Sequence, residues 1–271
     1  MELRPLAERI VAALPPVVEE VVLTGSVSRG VSDELSDIEM LLVTVEPLEL
    51  AVCFEHARAA GLVSLDSWGV QGTPTRRVFG YCDGVPIELI WWSRDYAEES
   101  VDALLSGEAW SSADALANGV SLRTVGLLAA WQERLASYPE ELVAQRVEEA
   151  ALSWGGFAPA GFLTLTRPGD RLALVERMFD DASRVMTIVY AINRVWQPSH
   201  KRLAARAAQL AVKPERLAER IELALTEPDP RRALLVLTEL QAETVALAPA
   251  GPNVERARVW LAEVANVLRN S

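Results

Sequence analysis

The chain has 271 residues, of which 50% are apolar and 24% are charged, and its formal net charge at pH 7 is −12. This composition is typical of a soluble globular protein with a substantial core, and the length suits one large or two modest domains. The acidic balance argues against a broad basic surface that grips nucleic acid regardless of sequence, and it is compatible with a cationic substrate.

Cysteine spacing and hydropathy narrow the possible classes of protein further. Cys53 and Cys82 show no CxxC spacing, so we expect two buried thiols instead of a disulfide framework or a zinc site. No apolar run approaches the roughly 18 residues of a membrane-spanning helix. Residues 1–14 have the pattern of an amphipathic helix and not of a signal peptide. We therefore expect a cytoplasmic protein.

The first third of the chain alternates between helical and strand patterns. The elements predicted are a helix over 3–14, strands over 18–24 and 37–44, a helix from 47 to about 60, and strands over 63–71, 75–82 and 86–92. Asp83-Gly84 is a strong hairpin signal between the last two strands. These elements predict a small mixed sheet with helices packed on it.

Strand signals nearly vanish from Asp95 onward. Helical patterns between Pro and Gly breaks lie near 96–106, 122–136, 139–154, 171–195, 200–210, 214–226, 229–247 and 253–269. The predicted fold class is therefore α+β. A small mixed β-sheet domain flanked by helices, residues 1–100, precedes an all-α helical bundle domain, residues 101–271.

The segment Val21–Val43 concentrates residues that could carry chemistry. One apolar run ends at Gly25-Ser26, and a second apolar run contains Asp37 and Glu39. Residues two apart in a strand share one face and lie about 6.6 Å apart along the backbone, which suits a shared divalent cation. Gly25 lets a ligand approach the backbone, and Ser26 opens a helix whose free N–H groups attract phosphate.

A third carboxylate interrupts another apolar run. Glu88 stands within residues 87–92, whose hydropathy would otherwise place every side chain in the core. Burying an unpaired carboxylate is costly, so Glu88 should face a polar site, a metal ion or an arginine. A salt bridge to an arginine on the sheet face is the alternative interpretation, and it gives Glu88 a structural role only.

The residues of the first segment form a larger pattern, which comprises Gly25, Ser26, Arg29, Gly30, Ser36, Asp37, Ile38 and Glu39. This pattern resembles the signature of the polymerase-beta-like nucleotidyltransferase superfamily. The resemblance is close over residues 20–43 and looser to about residue 92. Many members have Asp where Glu39 stands, although Glu also occurs there.

The resemblance implies a transferase that uses Mg²⁺ to move a nucleoside monophosphate from an NTP, with ATP as the first candidate. Asp37, Glu39 and Glu88 would be the catalytic residues and the metal ligands, and Glu88 would also be the general base. The residues that would bind the nucleotide are Gly25, Ser26, Arg29 and Ser36. Solvation of Arg29 and an orienting role of Ser36 in its loop are the alternatives.

The segment Tyr190–Leu203 carries a second signal. A long helix should end near Trp196, where Pro198 breaks it before a basic turn. The segment resembles the pattern N-R/K-x-x-x-P-x-x-K in helical domains of several antibiotic-type nucleotidyltransferases. By this resemblance Lys201 would bind the β- and γ-phosphates of the nucleotide. The alternative is a surface lysine.

Further candidates concern the acceptor pocket. Trp92 shares a strand face with Glu88 and could stack on a base or sugar ring, although a strand tryptophan is more often part of the core. Loops 154–157 and 167–170 could line the pocket. Glu148 and Glu149 could meet an ammonium group, although such pairs usually form a solvated helix face.

The predicted function is transfer of a nucleotide, AMP from ATP in the first instance, to a hydroxyl of a small molecule. Within the superfamily, the chain most resembles aminoglycoside and lincosamide nucleotidyltransferases, which confer antibiotic resistance. One alternative acceptor is a protein or a tRNA end, and its only hint is the series Arg202, Arg206, Arg216 and Arg220. Another alternative is a nucleotide-binding member whose activity has decayed. The sequence leaves open the acceptor, the preferred NTP and the oligomeric state.

Overall fold

The structure is a computed structural model that describes residues 3–68, 74–109, 112–155 and 159–270. The contacts within the chain divide it into two compact units, residues 1–137 and 138–271. The first unit contains a mixed sheet with helices, and the second unit is helical. The predicted α+β class is confirmed.

The helices of the first unit are α1 (Leu3–Ala13), α2 (Gly25–Ser28), α3 (Leu50–Ala59), α4 (Arg94–Ser106), α5 (Ala113–Ala117) and α6 (Leu127–Leu135). Its strands are β1 (Val18–Leu23), β2 (Ile38–Thr44), β3 (Val63–Ser67), β4 (Arg76–Cys82), β5 (Val85–Ser93) and β6 (Val120–Arg123). They form one sheet in the order β3-β4-β5-β2-β1-β6. Strands β2 and β5 are parallel, and the other neighbours are antiparallel.

One face of this sheet forms the core of the first unit. Apolar side chains of the sheet pack there with those of α1 and α3, among them Leu6, Ile10, Leu23, Met40, Leu42, Cys53, Ala57 and Leu89. Full burial of one large aliphatic side chain contributes about 1.5–3 kcal/mol. Because side chains alternate along a strand, Glu39 and Glu88 point to the opposite face.

Two helices cover the opposite face toward the C-terminal ends of β2 and β5. Helix α4 packs on both strands, and α6 packs on β1. Trp92 is 7% exposed and meets Tyr96 edge-to-face with ring centroids 5.3 Å apart. Glu39 and Glu88 are nearer the other end of this face and are half-buried. The sheet therefore presents its carboxylates beside, and not under, the covering helices.

Strand β6 lies where we predicted the beginning of a helix. Ser121 pairs with Val22, and Val120 pairs with Leu23, in an antiparallel ladder. We did not predict β6, because a four-residue strand has too short a pattern and its pairing with β1 decides its conformation. The first unit continues to Ser137, past the predicted boundary at residue 100, because α4, β6 and α6 all contact the sheet.

Glu20 is a fully buried carboxylate that joins β1 to the β6–α6 turn. It accepts hydrogen bonds from the Ser121 hydroxyl at 2.6 Å and the Thr124 hydroxyl at 2.9 Å. The backbone N–H groups of Val125 and Leu127 donate to it at 3.0 and 3.2 Å. Donors at the beginning of a helix stabilise a carboxylate there, so Glu20 anchors α6 to the sheet.

The second unit contains α7 (Glu140–Leu152), α8 (Arg171–Ile192), α9 (Leu203–Ala208), α10 (Leu217–Thr226), α11 (Pro230–Leu247), α12 (Pro252–Asn270) and the 3-10 helix Pro159–Thr166. Its core includes Val185, Ile188, Val189, Leu237, Leu240, Leu261 and Val264. We did not predict the 3-10 helix, which packs Phe162 edge-to-face on Trp260. None of the helices in the described ranges has the length and apolarity needed to cross a lipid bilayer.

Both cysteines are buried free thiols, as predicted. Burial raises the pKa of Cys53 to about 12. Asp83-Gly84 forms the predicted hairpin turn, with φ of 52° and 80°. The predicted strand over 63–71 ends at Ser67, and residues 69–73 lie outside the described residues.

Candidate functional site

Glu39 and Glu88 lie side by side on one face of the sheet. They are register partners across the parallel strands β2 and β5. Neighbouring strands lie about 4.8 Å apart, so the two side chains leave the same face at about that spacing. The parallel pairing therefore brings together two of the three carboxylates that we singled out in the sequence.

Gly25 packs directly against the carboxylate of Glu39. It begins α2 with φ of +69°, a conformation that favours glycine. A β-carbon at Gly25 would collide with Oε2 of Glu39 and would lie 3.2 Å from its Cδ. The backbone N–H of Thr24 donates to the Glu39 carbonyl at 2.9 Å, which fixes the turn to β2. The positive φ therefore favours glycine here, and any side chain would also have to displace the flexible Glu39 carboxylate.

Arg29 is held inside the same turn. Its guanidinium donates to the Gly25 carbonyl at 2.7 Å and pairs with Asp114 of α5. The Ser28 hydroxyl donates to the same carbonyl at 3.1 Å. Arg29 thus orients the backbone of Gly25 and Ser26, and the triphosphate contact that we assigned to it stays a prediction. We missed Asp114 because its segment gives no local signal for a contact with α2.

Ser36 folds the loop that leads into β2. Its hydroxyl accepts from the Asp33 N–H and donates to the Asp33 carboxylate, both at 2.9 Å. These bonds agree with the orienting role that we considered for Ser36. Asp37 is half-buried and immediately precedes β2, separated from Glu39 by Ile38, which is fully buried in the core.

Glu88 also contacts an arginine. Nη1 of Arg77, on β4, lies 3.3 Å from Oε1 of Glu88, and their side chains are 39% and 13% exposed. The Arg77 guanidinium lies 5.1 Å from the ring centroid of Trp68, a side chain that is 66% exposed. The arginine of our alternative interpretation is therefore present, on the same sheet face as the carboxylates.

The three acids do not form a closed ligand cluster. Among the described residues, no group of three or more His, Cys, Asp or Glu side chains is gathered closely enough to hold a metal ion. The donor chemistry nevertheless fits Mg²⁺, which takes one or two carboxylates and completes its shell with water and substrate phosphate. The Glu39 carboxylate lies against the Gly25 turn, so a cation bound to this carboxylate would lie beside the turn backbone. Metal binding by Asp37, Glu39 and Glu88 stays a prediction.

The predicted phosphate-binding lysine belongs to the second unit. Lys201 is exposed in the segment between α8 and α9. Asn193 joins the end of α8 to the segment between α9 and α10. Its side-chain amide nitrogen donates to the Val212 carbonyl at 2.6 Å, and its side-chain oxygen accepts from the Val212 N–H at 2.9 Å. Arg194 pairs with Glu140. Asn193 and Arg194 thus have structural contacts, and the role of Lys201 toward phosphate stays a prediction.

The weaker acceptor candidates have structural contacts of their own. Glu148 accepts from the N–H groups of Asn253 at 3.0 Å and Val254 at 3.3 Å, and so caps α12. Trp92 is buried under α4. Loop 154–157 lies partly outside the described residues, and its Trp154 is fully buried.

Comparisons with known proteins add little. No protein-family model matches the chain, and no curated protein matches it. Among solved structures, the chain is similar to a nucleotidyltransferase-like protein from Exiguobacterium sibiricum 255-15. The alignment covers 100% of this chain and 75% of that chain, with 14% identity and a TM-score of 0.31.

Proposed function

We propose that this chain is a Mg²⁺-dependent nucleotidyltransferase that moves a nucleoside monophosphate, AMP from ATP in the first instance, to a hydroxyl of a small molecule. The observation that carries the proposal is the register pair Glu39–Glu88 beside the Gly25 turn. Nucleotidyl transfer needs carboxylates that hold a divalent cation against the triphosphate and a group that takes the hydroxyl proton.

Asp37 and Glu39 are the proposed metal ligands. When bound, Mg²⁺ would offset the negative charge of the triphosphate and orient its α-phosphorus. Gly25 keeps the turn backbone in contact with the Glu39 carboxylate, so a phosphate beside Glu39 would also lie beside the turn. The contacts of Arg29 and Ser28 with the Gly25 carbonyl hold that backbone in place.

Glu88 is the proposed general base. The acceptor oxygen forms a bond to the α-phosphorus while the bond to the pyrophosphate oxygen breaks, and the hydroxyl proton passes to the Glu88 carboxylate. General-base assistance of this kind contributes about 10²–10⁴-fold to a rate. The half-buried position of Glu88 beside Glu39 supports this role, because the acceptor and the nucleotide would then meet on one sheet face.

Charge favours a cationic acceptor. The chain carries a net charge of −12. The proposed site contains three acids, Asp37, Glu39 and Glu88, and one arginine, Arg77, which pairs with Glu88. A hydroxyl compound that bears ammonium groups, such as an aminoglycoside-like antibiotic, would be attracted to such a surface. The alternative tRNA acceptor has less support, because Arg216 and Arg220 of the basic series are paired with acidic side chains.

The proposal is tested by pyrophosphate release from each NTP with Mg²⁺ and a panel of amino sugars. Asp37→Asn removes a charge without changing size and should lower the rate at least about 100-fold. Asp66→Asn is the matched control, since Asp66 is an exposed acid on β3 and should keep the wild-type rate. Unchanged release in Asp37→Asn would refute the proposed function.

A further inference from the structure

We propose that Arg77 is a positioning residue that turns the Glu88 carboxylate toward β4 and away from the cation beside Glu39. The inference rests on the proposed function, in which Glu39 binds the metal and Glu88 takes a proton. It also gives a structural reason why Glu39 and Glu88, two neighbouring glutamates, have different roles.

The position of Arg77 follows from the strand register. Phe79 of β4 pairs with Glu88 across the antiparallel β4–β5 ladder, and Arg77 is paired with Ile90. Arg77 is therefore a diagonal neighbour of Glu88 on the same sheet face, within reach of a long side chain. The contact of 3.3 Å to Oε1 draws the Glu88 carboxylate toward β4, which is the side opposite to β2 in the strand order.

Trp68 restricts Arg77. The guanidinium lies over the Trp68 ring at 5.1 Å from its centroid, while it also contacts Glu88. A planar guanidinium can stack on an aromatic ring and bind a carboxylate together, whereas the compact ammonium of a lysine does not reproduce this geometry. Arg77 thus has contacts on two sides, which limits the orientations available to it and to Glu88.

This arrangement separates two roles. Glu39 and Glu88 leave adjacent strands that lie about 4.8 Å apart, so both carboxylates can turn to one divalent cation. A Glu88 oxygen that binds the cation is not available to the acceptor hydroxyl. Arg77 favours the orientation in which Glu39 serves the metal and Glu88 serves the acceptor.

Mn²⁺ binding tests the inference directly. Electron paramagnetic resonance would measure Mn²⁺ affinity with a nonhydrolysable ATP analogue present. Arg77→Gln releases Glu88, which can then join the cation, so we expect about 10-fold tighter Mn²⁺ binding. With an amino-sugar acceptor, kcat should fall about 10- to 100-fold while KM for the acceptor stays within about twofold. Arg77→Lys keeps the charge and should restore part of kcat.

Two further variants make the test specific. Arg76→Gln removes the neighbouring arginine of β4, whose backbone partner is Trp91, and should bind Mn²⁺ as the wild type does. In Arg77→Gln/Glu88→Gln the gain in Mn²⁺ affinity should disappear. If Arg77→Gln does not fold, Arg77→Met keeps an apolar stem against Trp68 and takes its place.

Weaker or unchanged Mn²⁺ binding in Arg77→Gln, or unchanged kcat, would overturn the role of Arg77. Failure of the proposed function has a different result: Asp37→Asn would then keep metal-dependent nucleotide binding, or the wild-type chain would show none.

Discussion

The carboxylate of Glu39 occupies the space that a β-carbon on Gly25 would fill. This contact ties the turn after β1 to the acid on β2, so the backbone that would meet a phosphate and the carboxylate that would hold its cation form one unit. Glycine at this position is favoured by its positive φ.

We predict that Gly25→Ala is costlier than Gly30→Ala. Gly30 also has a positive φ, of +66°, but a β-carbon there would meet nothing within 4 Å. Backbone strain of this kind costs about 1–3 kcal/mol at both positions, and only Gly25→Ala also displaces the flexible Glu39 carboxylate, which adds a smaller cost. Chemical denaturation measures both costs. In a Glu39→Ala background the excess cost at Gly25 should disappear, and equal costs for both glycines in the wild-type background would contradict the contact.

Glu20→Gln should destabilise the first unit. Oε1 of the buried carboxylate accepts a hydrogen bond from Ser121 of β6. Oε2 accepts three more from the turn that leads into α6. In glutamine an amide nitrogen, which cannot accept, replaces one of these two oxygens. We expect a loss of about 1–3 kcal/mol in the free energy of unfolding. Glu49→Gln is the control, because Glu49 makes no capping hydrogen bond at α3. Equal stability of both variants would show that Glu20 does not anchor α6.

Asp181 should make the stability of the second unit depend on pH. Burial raises the pKa of Asp181, although Arg177 and Trp154 act against the rise. The folded chain thus binds this proton more tightly than the unfolded chain does. The resulting stability is present below the unfolded pKa of about 3.9 and is lost as the pH rises through the folded pKa.

The comparison of wild type with Asp181→Asn isolates this effect. The free energy of unfolding of the wild type, relative to the variant, should decline as the pH rises from about 4. Denaturation at several pH values measures the difference. A relative stability that increases with pH would mean that the ion pair with Arg177 outweighs burial.

Cys53 should be inert in the folded chain. Burial raises the pKa of its thiol to about 12, so the reactive thiolate is scarce near neutral pH. Cys82 is also buried. We expect alkylation by iodoacetamide to be at least about 100-fold slower than in denatured protein. Rapid modification of Cys53 without unfolding, read by mass spectrometry, would contradict the burial.

Much of the fold could be predicted because its main elements have strong periodic patterns. The strands around Glu39 and Glu88 and the long helix α8 were all found from hydropathy and turn residues. Strand β6 was not, because its conformation depends on the edge of β1 and not on its own four residues. The helical pattern predicted over 122–136 in fact begins at Leu127, after Gly126 with φ of 96°.

The acidic residues of the site could be predicted from the sequence, whereas its arginine could not. Glu88 was recognisable as a carboxylate inside an apolar run, and the same reasoning applied to residues 18–23 would have found Glu20. The pairing of Glu39 with Glu88 depends on the parallel contact of β2 with β5, which local sequence does not specify. An arginine partner for Glu88 could be expected from the sequence, but its identity could not, since the strand register decides which arginine reaches Glu88.

The most direct test of the central claim is transfer of labelled α-phosphate from ATP to an amino-sugar acceptor, measured together with Mg²⁺-dependent ATP binding. Glu88→Gln should keep metal-dependent binding and lose transfer by about 10²–10⁴-fold, whereas Glu39→Gln should lose metal-dependent binding as well. Wild-type transfer in Glu88→Gln, or metal-dependent binding that survives in Glu39→Gln, would contradict the proposed division between the two residues.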